Sequence, residues 1–163
     1  MMLPFTDDLV RVGKFDAESV ALADKHYSRQ KAGTNQFMPP GRTMVLRNTE
    51  GTVVFGWLHQ EKRDDHQRGY NCSIFRNESE RLSSDIIREA QEMVWEEWGV
   101  ERLFTYVDPT KLRQSSQKYR KPKIPGKCFI AAGWKLRVHK NGKPHTSTNG
   151  LYLFVKRYEG VIK

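Results

Sequence analysis

The run Leu103-Phe104-Thr105-Tyr106-Val107, closed by Asp108-Pro109, constrains this chain more than any other stretch. Its aromatic and β-branched residues suit a buried strand. Proline cannot continue a central strand, so the strand ends at Asp108. In open α/β sheets, ligands collect just beyond the carboxyl ends of strands. Asp108 therefore stands where a site would be, and an Asx-type turn with Thr110 is the plainer account of the same residues. A basic loop follows. Residues 126–133 are expected to form a short helix ending on Gly133, with Phe129, Ala131, Ala132 and Trp134 as packing residues.

The other elements follow from periodicity. Residues 8–13 alternate and suit an edge strand. Asp16 is the expected N-cap of a helix with Val20, Leu22, Ala23 and Tyr27 mostly on one face, ending around His26-Tyr27-Ser28. Residues 29–42 form a long loop. Strands at 44–47 and 53–59 flank a turn at Asn48-Thr49-Glu50-Gly51, and a third strand covers 70–75. An amphipathic helix runs from about Ser83 to Trp98, with Ser83 or Ser84 as N-cap. Its apolar set is Ile86, Ile87, Ala90, Met93, Val94 and Trp98, and Gly99 stops it. Strands at 135–139 and 151–156 flank a turn at Asn141-Gly142.

At 163 residues the chain reads as one domain, 1–163, with room for a core. No apolar run reaches membrane-spanning length, and the N-terminus lacks a signal-peptide pattern, so no membrane is expected. Cys72 and Cys128 show no metal spacing. Reduced core thiols and a cytoplasmic protein are the expectation.

The net charge of +9 is unevenly placed. Residues 109–158 hold thirteen Lys and Arg and no Asp or Glu, while the rest of the chain nets −4. A solvated basic face is the bland account. A carboxylate-free block this long is also the footprint of a polyanion partner, nucleic acid first. Within it, Lys111, Arg113, Lys118, Tyr119, Arg120, Lys121 and Lys123 interleave a ring with cations, which suits backbone contact plus base stacking. The loop at 29–42 adds Arg29, Lys31 and Arg42 and contains no acidic residue. It is a candidate clamp on a flipped or single-stranded base.

The element order, strand, helix, three-strand meander, helix, strand, short helix, strand, predicts an α/β fold with a mixed, mostly antiparallel sheet flanked by helices. On the Tyr70–Ser84 stretch and on Phe129-Ile130-Ala131-Ala132-Gly133-Trp134, the chain resembles the GNAT acetyltransferases. That family holds the pyrophosphate of its donor on a glycine-rich loop at a helix N-terminus. Here residues 76–84 contain no glycine and two glutamates, Glu78 and Glu80, a poor host for pyrophosphate.

His26-Tyr27-Ser28-Arg29, the Asn77-Glu78-Ser79-Glu80-Arg81 loop and the strand-end Asp108 together are similar to the Mom family of phage DNA-modification proteins, a divergent GNAT-like group. The resemblance implies transfer of a carbamoylmethyl (acetamido) group to N6 of adenine in DNA, which shields the DNA from restriction. His26, Tyr27, Ser28, Asp108, Asn77, Ser79 and Ser83 are then the candidate catalytic residues. His26 and Tyr27 could instead be end-of-helix packing residues. Their functional reading has both meeting Asp108 across the sheet opening. A His, Tyr and carboxylate set suits iron better than magnesium, and the resemblance also implies an iron site. The donor stays open between acetyl-CoA and another acyl or aminoacyl compound. Two further readings compete: an ordinary GNAT acetyltransferase on a small amine or protein lysine, and a non-catalytic nucleic-acid-binding module on a GNAT scaffold.

Overall fold

The computed structural model describes residues 8–24, 37–110 and 125–159. Seven strands form one sheet: β1 (Leu9–Val12), β2 (Arg42–Asn48), β3 (Val53–His59), β4 (Tyr70–Asn77), β5 (Leu103–Val107), β6 (Lys135–Leu136) and β7 (Tyr152–Lys156). Their spatial order is β1-β2-β3-β4-β5-β7-β6. Only β4 and β5 run parallel; every other neighbouring pair is antiparallel. The described residues also form three helices: α1 (Ala17–Ala23), α2 (Ser83–Trp98) and α3 (Lys127–Ala131). The result is an α/β fold with a mixed, mostly antiparallel sheet. Among the described residues, no helix is long and apolar enough to cross a membrane.

The β2–β3 turn is built by Asn48. Its side-chain oxygen accepts the Thr52 and Val53 N–H groups, each at 2.9 Å. Helices α2 and α3 cover one sheet face, where Ile86, Ile87, Ala90 and Val94 meet Phe55, Trp57, Leu103 and Phe154 in the main core. The buried indoles there keep hydrogen-bond partners. Trp57 Nε1 donates to the Ala90 carbonyl and Trp134 Nε1 to Gln91 Oε1, each at 3.0 Å. Phe129 and Trp134 meet edge to face at 4.9 Å, so the aromatic pair of α3 closes the core from its end. On the opposite face α1 packs Leu22 and Ala23 against Val45, Val54, Leu58 and Ile74. Farther along that face lie Phe104, Leu153 and Val155.

Several expectations change. Helix α1 spans Ala17–Ala23 with Asp24 as its C-cap, and the expected end around His26-Tyr27-Ser28 lies outside the described residues. Its buried face carries Ser19 in place of half-buried Val20, and the Ser19 hydroxyl is satisfied by Asp16 at 2.8 Å. Leu82, not a serine, occupies the N-cap of α2. Ala131 is exposed, so only Phe129, Ala132 and Trp134 of that group pack inward. The strand expected over 135–139 stops at Leu136. There the chain leaves β7 to form a short two-stranded ribbon, bridged at Val138 and Pro144, before returning at Tyr152.

Candidate functional site

The sheet opens between β4 and β5. Their parallel ladder lasts only from Tyr70↔Leu103 to Cys72↔Thr105. Beyond it, β4 stays with β3 as far as Asn77, and β5 stays with β7 as far as Val107. The register against β3 slips between Gly56 and Trp57, which leaves Ser73 as an extra residue on β4. Such a bulge bends its strand and raises the local twist, which turns β4 away from its neighbour. At the fork, the Thr105 hydroxyl donates to the Cys72 carbonyl at 2.8 Å. The two strands are parallel, so both carboxyl ends, Asn77 and Asp108, lie at the same end of the sheet.

The β4 lip is a closed hydrogen-bond knot. Asn77 is buried, and its amide orientation is fixed by the backbone groups it meets. Its oxygen accepts the Ser79 N–H at 2.9 Å and the Ser79 hydroxyl at 2.6 Å. Its nitrogen donates to the Arg81 carbonyl at 2.8 Å and to the Ser83 hydroxyl at 3.0 Å. The structure thus brings Asn77, Ser79 and Ser83 together, but points them at one another. Ser83 is engaged by Asn77 and stands as the first residue of α2.

Arg81, absent from the expected site, ties this lip to the rest of the fold. Its guanidinium pairs with Asp8 and lies 2.8 Å from Glu89 Oε1. Glu89 is buried on α2, and its other oxygen accepts the Leu9 N–H at 2.9 Å. Burial opposes the charge on Arg81, but the two carboxylates outweigh it and hold the guanidinium above its ordinary range. Arg76 is likewise paired with Glu78 at 2.6 Å. None of residues 78–84 adopts the left-handed backbone that an anion-binding nest requires. The loop therefore presents paired side chains where a pyrophosphate cradle would present N–H groups.

On the β5 lip, Asp108 is half-buried. Its Oδ1 accepts the Thr110 N–H at 2.9 Å and the Thr110 hydroxyl at 2.6 Å. The Asx turn suggested by the sequence is present, and it fixes the carboxylate at the strand end. On the same strand, Tyr106 donates to Asp65 at 3.0 Å, and Arg63 holds both oxygens of that carboxylate. Burial, then the Asp65 bond and charge, push the Tyr106 phenol up to about 12. Cys72 is buried beside the fork, and burial drives its thiol far above the ordinary range, so it stays neutral.

Arg42 lies elsewhere. It pairs with His59 at the far end of β2, and its guanidinium stacks 4.4 Å over Trp98. That is the end of the sheet where β5 starts, so Arg42 is removed from the group around Asp108. His26, Tyr27, Ser28, Arg29, Lys31, Lys111, Arg113, Lys118, Tyr119, Arg120, Lys121 and Lys123 lie outside the described residues. Of the three ligands considered for iron, only Asp108 is described. Among the described residues, no cluster of three or more His, Cys, Asp or Glu side chains could hold a metal ion. The described strand ends thus form two lips of an opening, one whose Asn and Ser side chains bond to one another and one carrying a turn-fixed carboxylate.

No protein-family model, no curated protein and no solved structure matches this chain.

Proposed function

We propose that the chain is a DNA-modifying transferase of GNAT-like fold that adds a carbamoylmethyl group to N6 of adenine. The observation that carries this reading is the β4/β5 opening. It sets Asp108 on one lip, and its other lip is a glycine-free loop whose arginines are already paired. The carboxylate-free basic segment follows directly from Asp108.

The chemistry asks little of the protein except position and charge. The exocyclic amine of adenine is a poor nucleophile because its lone pair is shared with the ring. Forming the new N–C bond breaks the bond from the carbamoylmethyl carbon to the donor's leaving group, which departs with the bonding electron pair, and releases one N6 proton. A carboxylate fixed at a strand end can accept a hydrogen bond from N6–H, orient the amine and take up that proton. The Thr110 bonds to Oδ1 hold Asp108 in place for this task. The fork between β4 and β5 is where a flipped base and a donor would meet. The paired, nest-free β4 lip favours a donor recognised through something other than a pyrophosphate.

Mass spectrometry of nucleosides from the DNA of cells expressing the protein tests the reading. The expected result is an adenosine heavier by a carbamoylmethyl group. Unmodified adenine throughout overturns it. One observation favours a second reading, a non-catalytic nucleic-acid-binding module: Asn77, Ser79 and Ser83 bond to one another. DNA affinity without nucleoside change is its signature.

A further inference from the structure

The outer strands β5, β7 and β6 carry a basic face that the opening does not explain. Side chains alternate across a sheet. Phe104 pairs with Val155 and Tyr106 with Leu153, and these four share the face opposite α2 and α3. Lys135 pairs with Val155, so it joins that face. Arg137 bonds through its N–H to the Leu153 carbonyl at 2.9 Å, which continues the alternation from Lys135. Arg157 follows Val155 at the same spacing and reaches the same face.

The charges on this face sense one another. Burial first, and then the like charges of Arg157 and Arg137, hold the half-buried Arg102 guanidinium below its ordinary range. Two described carboxylates lie nearby. Asp65 serves Arg63 and Tyr106, and Glu101 accepts the Arg102 N–H at 3.0 Å. Lys135, Arg137, Lys140, Lys143 and Arg157 are exposed, and none forms an ion pair with a described carboxylate.

The ribbon beyond β6 extends this face. His139 and Lys143 are joined by a 2.8 Å backbone bond, and His145 donates its N–H to the Arg137 carbonyl at 2.8 Å. That register puts Arg137, His139, Lys143 and His145 on one side of the ribbon, where the two imidazoles stack at 3.8 Å. Thr146 bridges to Tyr152, and Tyr152 lies opposite Val107. The root of the ribbon therefore adjoins the strand end that delivers Asp108.

We propose that this face, with Lys135, Arg137 and Arg157 on the sheet and Lys143 on the ribbon, docks the phosphate backbone of duplex DNA and leads it toward Asp108. The inference rests on the reading of the chain as a DNA-modifying protein and adds the surface that holds the duplex. Exposed cations in excess over the nearby carboxylates match a polyphosphate. Among the described residues, Tyr106 is the tyrosine on this face, half-buried and bonded to Asp65, and the two ribbon imidazoles stack on each other, so the face offers mainly cations to a duplex.

Fluorescence anisotropy with a labelled duplex across a salt series tests the surface. The combined variant Lys135→Gln, Arg137→Gln, Arg157→Gln should flatten the slope of log affinity against log salt by about three. A matched control, Arg11→Gln with Lys14→Gln at the far β1 edge, should leave the slope unchanged. Thermal melting checks that each variant is folded, and Arg137→Gln alone, with a slope change of about one, stands in if the combined variant is not. An unchanged slope in the folded variants overturns the proposal. So does preferential binding of single-stranded RNA that competes the duplex away. The nucleoside measurement separates this outcome from the catalytic reading. Variants that lose duplex binding while the parent chain modifies no adenine leave the surface standing and remove the modification. Modified adenine with unaffected binding in the variants does the reverse.

Discussion

Asn77 donates from its amide nitrogen to the Ser83 hydroxyl at 3.0 Å, and so joins the end of β4 to the start of α2. The same amide closes the Ser79 turn. Asn77 is 5% exposed, so water cannot easily replace these bonds.

Asn77→Ala should therefore destabilise the fold by about 2 kcal/mol, because it leaves a backbone N–H and a carbonyl without their partner. In a chain of this size that lowers the melting temperature by about 4 to 8 °C. Thermal denaturation followed by circular dichroism reads it. Asn77→Asp should recover part of the loss, since the carboxylate still accepts from Ser79 but cannot donate to Arg81 or Ser83. An unchanged melting temperature for Asn77→Ala would return Asn77 to the candidates for direct contact with a bound molecule.

Much of the framework was legible from the sequence. Helix α2 spans Ser83–Trp98 as its apolar spacing predicts, and Leu103–Val107 is the strand expected before Asp108-Pro109. Those segments carry long, regular patterns whose packing agrees with their propensity. The knot at Asn77 was not legible, because a run of Asn, Ser and Glu reads equally as a binding loop or as a self-bonded turn. Only the geometry separates the two. The bulge at Ser73 and the early end of β6 depend on register against neighbouring strands, which periodicity within one segment does not encode. The basic sheet face was hidden for another reason. Its members lie on β6 and just beyond the ends of β6 and β7, and the pairing of Lys135 with Val155 is what unites them. The place of Arg42 was hidden in the same way, since a basic residue beside a loop carries no label for the end of the sheet it occupies.

Tyr106 and Asp65 give the fold a pH signature. Burial raises the Asp65 carboxyl, but bonds from Arg63, the Gln67 N–H and Tyr106 outweigh it, so the net direction is down from 3.8. A lowered folded value favours the charged form. That contribution is complete at neutral pH and is lost as pH falls below about 4 through the folded value. Tyr106 works the other way: its ordinary value of 10 is raised to about 12, which favours the neutral phenol. Its contribution is complete below about pH 10 and is lost as pH rises toward 12. Tyr106→Phe should flatten the alkaline branch of melting temperature against pH and weaken the acid branch. At neutral pH it should cost about 1 kcal/mol for the lost hydrogen bond. An alkaline branch identical to that of the parent protein would show that the phenol is not the group responsible.

Acetyl-CoA should bind weakly or not at all. The loop before α2 contains no glycine, has no left-handed residue between 78 and 84, and spends Arg76 and Arg81 on carboxylates. Glu78 and Glu80 add negative charge where a pyrophosphate would have to approach. Isothermal titration calorimetry with acetyl-CoA should give no saturable heat at micromolar concentration. Micromolar binding that is lost when this loop is altered would place the chain among ordinary acetyltransferases and remove the DNA-modification reading of the opening.

The decisive residue is Asp108, where one carboxylate serves a turn and stands at the mouth of the opening. Asp108→Asn separates the two roles, because an asparagine oxygen still accepts from the Thr110 N–H and hydroxyl while the charge is gone. The melting temperature should stay within a few degrees of the parent protein, since the Asx turn is retained. Adenine modification should fall by about 100-fold or more, the usual cost of removing a positioned proton acceptor. Thr110→Ala is the converse. It keeps the carboxylate but removes one of the two bonds that fix it, so modification should fall less, by about tenfold. Duplex binding should survive both, because neither residue belongs to the basic face. If Asp108→Asn keeps full activity, the carboxylate belongs to the turn alone and the reacting amine is held elsewhere.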